Sequence, residues 1–336
     1  MDQSIEFKLN IIMKILITRQ IPNHGINMLK EKGYEVTINP EDRPYTKEEL
    51  LKLLIEGEFS AVLCDLDDKI TAEVLGVAKE AGIKIFANYA VGYDNLDIKT
   101  AQELGIFTTN TPGALTNAVA EHAMALLFAV TRRVVEADRY MRAGKFHSWG
   151  PMLFLGGEIS GKTMGIVGLG RIGSRVAYHA KKGFDMNVLY YDVKRSEAFE
   201  KEIGAEFREN PDDVFKEADF ISVHVPLLPT TKYLIDARRL SLMKKTAYLI
   251  NTSRGPVVDE EALVESLKNK AIAGAALDVF EHEPAMAPGL AELENVVITP
   301  HIASATGKAR QEMSEIAAKN IIEVLDGRTP PNVVRV

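Results

Sequence analysis

A Gly-Leu-Gly-Arg-Ile-Gly run from Gly168 to Gly173 follows the short apolar stretch Met164-Gly165-Ile166-Val167 and opens a segment of helical periodicity. A second apolar run, Val188-Leu189-Tyr190-Tyr191, ends on Asp192, 19 positions beyond Gly173. Strand, tight turn, helix, strand and acid, in that order, form the fingerprint of a unit that binds a dinucleotide. Gly168 permits the turn, Gly170 lets the backbone approach a pyrophosphate, and Gly173 lets the helix pack close to the sheet. The pyrophosphate would rest on unpaired N–H groups at the helix N-terminus, where the dipole favours negative charge. Asp192 would accept hydrogen bonds from the adenosine ribose.

The 336 residues are too many for one ordinary small core and suit two domains. Hydrophobic residues at 46% and charged residues at 26% are globular values. A net charge of −7, with no basic arm or stripe, argues against nucleic acid as a partner. An anionic substrate would then need locally placed cations. Cys64 stands alone, which excludes an intrachain disulfide and a cysteine-based metal cluster and suits a reducing cytoplasm. The seven histidines lack zinc spacing, so no metal is expected. The apolar run Leu9 to Ile17 is interrupted by Lys14, has no small-residue cleavage site and is too short to span a bilayer. Neither a signal peptide nor a membrane partner is expected. Met1 to Ile12 reads as an extension, with Met13 the natural start of the folded part.

From Lys14 onward, short apolar runs alternate with helical periodicity. Ile15 to Ile17, Val36 to Ile38, Ala61 to Leu63, Ile83 to Phe86 and Ile106 to Thr108 predict strands. Between them one helix opens on a capping box from Thr46 to Glu49 and another ends at Gly82. Repeated β then α predicts a parallel sheet with helices on both faces. One long amphipathic helix is predicted from about Asn117 to Ala143, followed by a loop through Ser148-Trp149-Gly150-Pro151 and Gly156-Gly157. After Asp192, strands are predicted at Phe220 to Val223, Ala247 to Ile250, Ala273 to Leu277 and Val296 to Ile298, and a closing helix over Lys308 to Leu325.

Three residues fall just past these later strands: Arg254 in Asn-Thr-Ser-Arg-Gly-Pro, Glu283 in Phe-Glu-His-Glu-Pro, and His301 in Thr-Pro-His-Ile-Ala-Ser. In a doubly wound sheet, ligands bind beyond the C-terminal strand ends, so all three could face one site. Taken singly, each has an ordinary alternative: a surface cation near a turn, a solvated loop acid, a capped or core histidine.

The chain resembles the D-isomer-specific 2-hydroxyacid dehydrogenases from about Lys14 to Val334. The likeness rests on motifs in order: Val91-Gly92-Tyr93-Asp94-Asn95, the glycine run, His224-Val225-Pro226-Leu227, Asn251 to Gly255, Asp278-Val279-Phe280-Glu281-His282-Glu283-Pro284 and Pro300-His301. It implies an α/β fold of two doubly wound parallel-sheet domains with a cleft between them. A flavodoxin-like substrate domain would take residues 1–112, with 303–336 returning to it, and a Rossmann domain 113–302.

The resemblance makes Arg254, Glu283 and His301 the catalytic set, and elementary chemistry supports each role. Reduction of a 2-keto acid delivers hydride to the carbonyl carbon, and the oxygen needs a proton donor, for which His301 is the candidate. A neighbouring carboxylate such as Glu283 favours the protonated imidazole and fixes its ring. Arg254 offers a planar fork for a carboxylate. By the same resemblance Arg171 and Ile172 give backbone N–H groups to the pyrophosphate and Val225 and Pro226 flank the adenine. Thr252 and Ser253 lie near the nicotinamide ribose, and Asp278 binds the carboxamide, with a turn cap as its alternative. Asp192 favours NAD by repelling a 2′-phosphate, although Lys194 and Arg195 could accommodate NADP.

The substrate contacts implied are Leu66, the Val91 and Gly92 amides, Trp149 and Arg254. Trp149 stands where glyoxylate and hydroxypyruvate reductases of this family place an aromatic that reaches the partner's pocket; its alternative is a dimer-interface anchor. The loop from Cys64 to Ile70 carries three acids and only Lys69 as a cation, which disfavours a phosphorylated substrate. No regulatory domain is expected after the closing helix. The implied activity is reduction of a small 2-keto acid, glyoxylate or hydroxypyruvate, by a homodimer. A D-lactate- or phosphoglycerate-type dehydrogenase and an NAD-sensing corepressor-like scaffold remain the alternatives. Formate dehydrogenases of this fold place glutamine where Glu283 stands. His122 reads as packing, His282 as exposed and His224 as a bystander near the cofactor.

Overall fold

The computed structural model describes residues 12–335. The expected extension from Met1 falls, apart from Ile12, outside the described residues. The chain divides into two compact units, with breaks after Leu115 and after Ala305; the segment from Thr306 returns to the first.

In the first unit the elements run β1 (Lys14–Ile17), α1 (Asn23–Glu31), β2 (Glu35–Ile38), α2 (Lys47–Glu56), β3 (Phe59–Cys64), α3 (Ala72–Glu80), β4 (Ile85–Asn88), α4 (Ile98–Leu104) and β5 (Phe107–Thr109). The strands form one parallel sheet in the order β2-β1-β3-β4-β5. Ile15 to Ile17 and Ala61 to Cys64 are buried almost completely, as central strands covered on both faces should be. The capping box forms as the sequence predicts: Thr46 Oγ1 accepts the Glu49 amide at 3.2 Å and Glu49 Oε2 accepts the Thr46 amide at 2.8 Å. Gly82, at φ +82°, closes α3. β4 begins two residues later than the apolar run at Ile83 suggests.

The second unit opens with α5 (Thr116–Thr131) and α6 (Val134–Arg142). The sequence reads this stretch as one helix, and the structure corrects it. Gly156 packs so closely against the Thr131 carbonyl that a Cβ there would lie 2.4 Å from it. The Gly157 amide donates to that carbonyl at 3.1 Å and satisfies it from outside the helix. Arg133 then takes φ +53° and redirects the chain, its guanidinium bound to Glu136 and lying 5.1 Å over the Phe154 ring.

The elements that follow are β6 (Thr163–Val167), α7 (Arg171–Phe184), β7 (Asn187–Tyr191), α8 (Glu197–Ile203), β8 (Ala205–Phe207), α9 (Pro211–Glu217), β9 (Phe220–Val223), α10 (Ala237–Leu242), β10 (Tyr248–Asn251), α11 (Glu260–Lys268), β11 (Gly274–Leu277) and β12 (Val296–Ile298). All seven strands are parallel, in the order β12-β11-β10-β9-β6-β7-β8. The chain leaves β6 toward β7 on one side and resumes at β9 on the other. The point of reversal lies between β6 and β9, where this architecture leaves a crevice at the carboxyl strand ends. Edge strand β8 is three residues long and carries no periodicity by which the sequence could announce it. The closing helix α12 (Gly307–Leu325) packs on α1 in the first unit.

The three glycines of the fingerprint differ in their surroundings. A Cβ on Gly173 would meet the Gly168 carbonyl oxygen at 2.0 Å, whereas one on Gly170 meets nothing within 4 Å. Gly173→Ala is therefore expected to lose ~1–3 kcal/mol of stability through overpacking. Gly170→Ala should stay within about 0.5 kcal/mol of the parent. Thermal unfolding of the two variants checks the contrast, and equal melting temperatures would contradict it.

Candidate active site

Strands β10, β11 and β12 are consecutive neighbours, and each releases its chain at the same edge of the sheet into a loop bearing one of the expected catalytic residues. The loops are locked together. Gly255 lies so close to Phe280 that a Cβ would stand 1.9 Å from its carbonyl group, so only glycine lets the Arg254 loop touch the β11 loop. The Phe280 amide donates to Glu283 Oε1 at 2.9 Å, and Glu283 Oε2 stands 2.8 Å from His301 Nδ1. Arg254 is partly buried, its carbonyl accepting Asn251 Nδ2 at 3.0 Å and its Nη1 donating to the Ser253 carbonyl at 3.0 Å.

Burial would raise the Glu283 pKa, but the hydrogen bond and charge of His301, the Phe280 amide and the Arg254 charge outweigh it and hold the carboxyl below its ordinary 4.5. Glu283 is thus ionised at neutral pH. With His301 Nδ1 occupied by this acceptor, Nε2 is the ring nitrogen left to meet a substrate. The stability gained from this depressed carboxyl is present above its unfolded value and is lost as pH falls through the folded one.

His301 adopts φ +53°, an uncommon backbone for a residue with a side chain. Its amide donates to the Asp278 carbonyl at 2.9 Å, while the Asp278 carboxylate takes the Ile302 amide at 2.9 Å and the Ala303 amide at 2.7 Å. Asp278 is 0% exposed. Burial would raise its pKa, yet hydrogen bonds from His122, Thr299 and these amides hold it low. The carboxylate is enclosed and caps the His301 turn, the alternative that the sequence offers beside the carboxamide contact.

The glycine loop fits a dinucleotide. Gly170 precedes α7, whose first residues are Arg171 and Ile172, and the space at its missing side chain stands open. Gly168 crowds against His224 and Val225, which brings the β9 loop, with Val225 half-buried and Pro226 exposed, beside the turn. Asp192 Oδ2 accepts the Leu169 amide at 2.7 Å and its Oδ1 the Lys194 amide at 3.1 Å, so the acid also staples the glycine turn. Arg195 is committed to Glu200 through two bonds of 2.9 and 2.8 Å. Thr252 Oγ1 is buried without a hydrogen-bond partner among the described residues, whereas Ser253 bonds Asn251. Burial pushes His224 down to about 3, leaving a neutral ring bonded to Ser222. His282 is exposed.

In the first unit, Leu66 is half-buried in the loop after β3. Asp68 of that loop is buried, its Oδ2 bound to Thr18 Oγ1 and the Asp65 amide, and burial pushes it up to about 6. One of the three acids therefore faces inward. Sequence reading missed that Arg19 supplies the loop with a cation, 3.8 Å from Asp67 and bound to Asp42 at 3.0 Å. The carbonyls of Val91 and Gly92 are held by Asn110 and Asn88, and their amides meet no protein acceptor among the described residues. Trp149 is 79% exposed. Among the described residues there is no group of three or more potential metal ligands and no helix long and apolar enough to cross a membrane.

The family model for the NAD binding domain of D-isomer specific 2-hydroxyacid dehydrogenases matches residues 124–303. Relatives similar over nearly the whole length include a glyoxylate reductase of Pyrococcus furiosus, 48% identical over 96% of this chain and 95% of its own. Another, from Thermofilum pendens, is 49% identical over 96% of this chain and 94% of its own. A crystal structure of a Thermus thermophilus protein superposes with a TM-score of 0.88 at 42% identity, covering 96% of this chain and all of that one. An NADPH-dependent glyoxylate/hydroxypyruvate reductase from Sinorhizobium meliloti, solved with NADP and malonate, gives 0.82 at 29% identity, covering 96% of each chain. The glycine turn, the Glu283–His301 pair and these likenesses agree, and the chain belongs to the D-isomer-specific 2-hydroxyacid dehydrogenases, NAD(P)-dependent oxidoreductases.

Proposed function

We propose that this enzyme reduces glyoxylate or hydroxypyruvate to the 2-hydroxy acid, with NADH preferred to NADPH. The observation that carries the chemistry is the 2.8 Å contact between Glu283 and His301 at the strand ends that also carry Arg254. When bound, the reduced nicotinamide supplies hydride to the carbonyl carbon. Arg254 holds the substrate carboxylate and polarises its carbonyl. His301 gives the Nε2 proton to the carbonyl oxygen, and Glu283 keeps the ring oriented through its 2.8 Å contact with Nδ1. Leu66, the Val91 and Gly92 amides and Thr252 and Ser253 belong to the same proposal as binding residues.

Two features support a small unphosphorylated acid. Arg19 is already engaged with Asp42 and Asp67, and Asp65 and Asp67 stand in the loop beside it. A phosphate would meet acids there rather than open cations. NADH preference rests on Asp192, whose carboxylate disfavours a 2′-phosphate, and on the commitment of Arg195 to Glu200. The buried, lone Cys64 suits a reducing cytoplasm.

The chain is also proposed to act as a homodimer. Phe146, Trp149, Met152, Leu153 and Leu155 expose apolar surface along one segment, with Val134 and Met141 on α6. Trp149 then serves first as an interface anchor.

His301→Asn is expected to lower kcat by roughly 10²–10⁴, and Glu283→Gln by about ten-fold or more at neutral pH. Arg254→Lys should raise the substrate KM and lower kcat together. Steady-state assays following NADH with glyoxylate, hydroxypyruvate and pyruvate check these losses and rank the acids. Absence of turnover with every 2-keto acid would favour the scaffold. A higher kcat/KM with NADPH than with NADH would overturn the cofactor preference. Trp149→Ala should weaken the dimer in sedimentation; unchanged association with an altered glyoxylate-to-hydroxypyruvate ratio would instead make it a substrate contact.

A further inference from the structure

His122 lies on α5, which packs along β11 and β12, and its Nε2 stands 3.1 Å from Thr299 Oγ1 and 3.4 Å from Asp278 Oδ1. The donor inventory fixes the direction of the protons in this triangle. A carboxylate only accepts, and the single hydroxyl proton of Thr299 goes to Asp278 Oδ1 at 2.5 Å. His122 Nε2 must therefore carry a proton and donate it. Among the described residues, no other basic side chain lies within ion-pair distance of Asp278.

Asp278 in turn brackets the turn that carries His301. Its carbonyl takes the His301 amide, and its two carboxylate oxygens take the amides of Ile302 and Ala303. A left-handed residue with a side chain, as His301 is, is strained and persists only where its surroundings over-determine it. A buried carboxylate makes that bracket only with further donors to stabilise its charge, and Thr299 and His122 supply them at Oδ1, the oxygen that takes the Ile302 amide.

We propose that His122 is a positioning residue for the reduction: its Nε2 proton fixes Thr299 and Asp278, and these hold the 301–303 turn that aims the His301 ring. The inference rests on the reading of His301 as the proton donor, and it replaces packing as the role of His122.

The test compares His122→Leu with His122→Gln. Leucine keeps the bulk and removes the donor, whereas glutamine can place an amide N–H near the former Nε2. His122→Leu should lower kcat by about ten-fold or more while the KM for NADH stays within about two-fold. In the cofactor-free protein the Ile302 and Ala303 amides should exchange faster with deuterium. Glutamine should recover most of both losses. A residue that merely packs gives the opposite order, with leucine near the parent and glutamine worse, and that order would overturn the proposal. Thr299→Val offers a second route should His122→Leu fail to fold: reduced kcat with faster exchange supports the relay, and parental values for both refute it. His301→Asn separates the two readings. Retained turnover there removes the donor reading and this inference with it, whereas an inactive His301→Asn beside a parental His122→Leu removes this inference alone.

Discussion

A fully enclosed carboxylate, Asp278, sets the shape of the reacting end of the nucleotide unit. Removing a charge from water is tolerable only when donors surround it, and Asp278 finds them in two backbone amides, a hydroxyl and an imidazole, the Ala303 amide at Oδ2 and the rest at Oδ1. The amides come from the residues immediately after His301. Satisfying the buried charge and bending the backbone at His301 are thus one event. Removing the carboxylate would release strain and unsatisfied amides together, a network whose members are worth more jointly than singly.

Around that point, parallel strands of three or four residues do the positioning. Because β10, β11 and β12 run side by side in the same direction, residues 29 and 18 positions apart in sequence emerge at one edge. Gly255 then lets two loops touch, and the Glu283 carboxylate bridges from the Phe280 amide to the His301 ring. Side chains on separate loops are held by one continuous set of backbone contacts, which is what proton transfer at hydrogen-bond range needs.

Much of this was legible in the sequence because short-range rules governed it. Alternating apolar runs located the strands, the Thr46–Glu49 box marked a helix start, and the glycine spacing with Asp192 marked the nucleotide turn. The ordered motifs around Arg254, Glu283 and His301 named the chemistry. What escaped was decided by contacts distant in sequence. The split between α5 and α6 depends on Gly156 and Gly157 reaching back to Thr131, and no local pattern in 117–143 records that. His122 looked like core because its partners, Asp278 and Thr299, lie far along the chain. A buried acid next to a strand end, followed 21 residues later by a threonine before Pro-His, was the available signal, and it needed the sheet order to be read.

The double engagement of Asp192 bears on any attempt to redesign cofactor choice. Its carboxylate, proposed to meet the adenosine ribose, also holds the Leu169 amide at the first turn of the glycine loop. Exchanging it for a neutral residue to admit an extra phosphate would slacken the very loop that must grip the diphosphate bridge. Arg195, three residues beyond it, could not compensate unaided, since Glu200 clamps it from one side and the Phe207 ring lies under it at 5.7 Å. A switched enzyme would need the turn restrained anew and the arginine set loose in the same step.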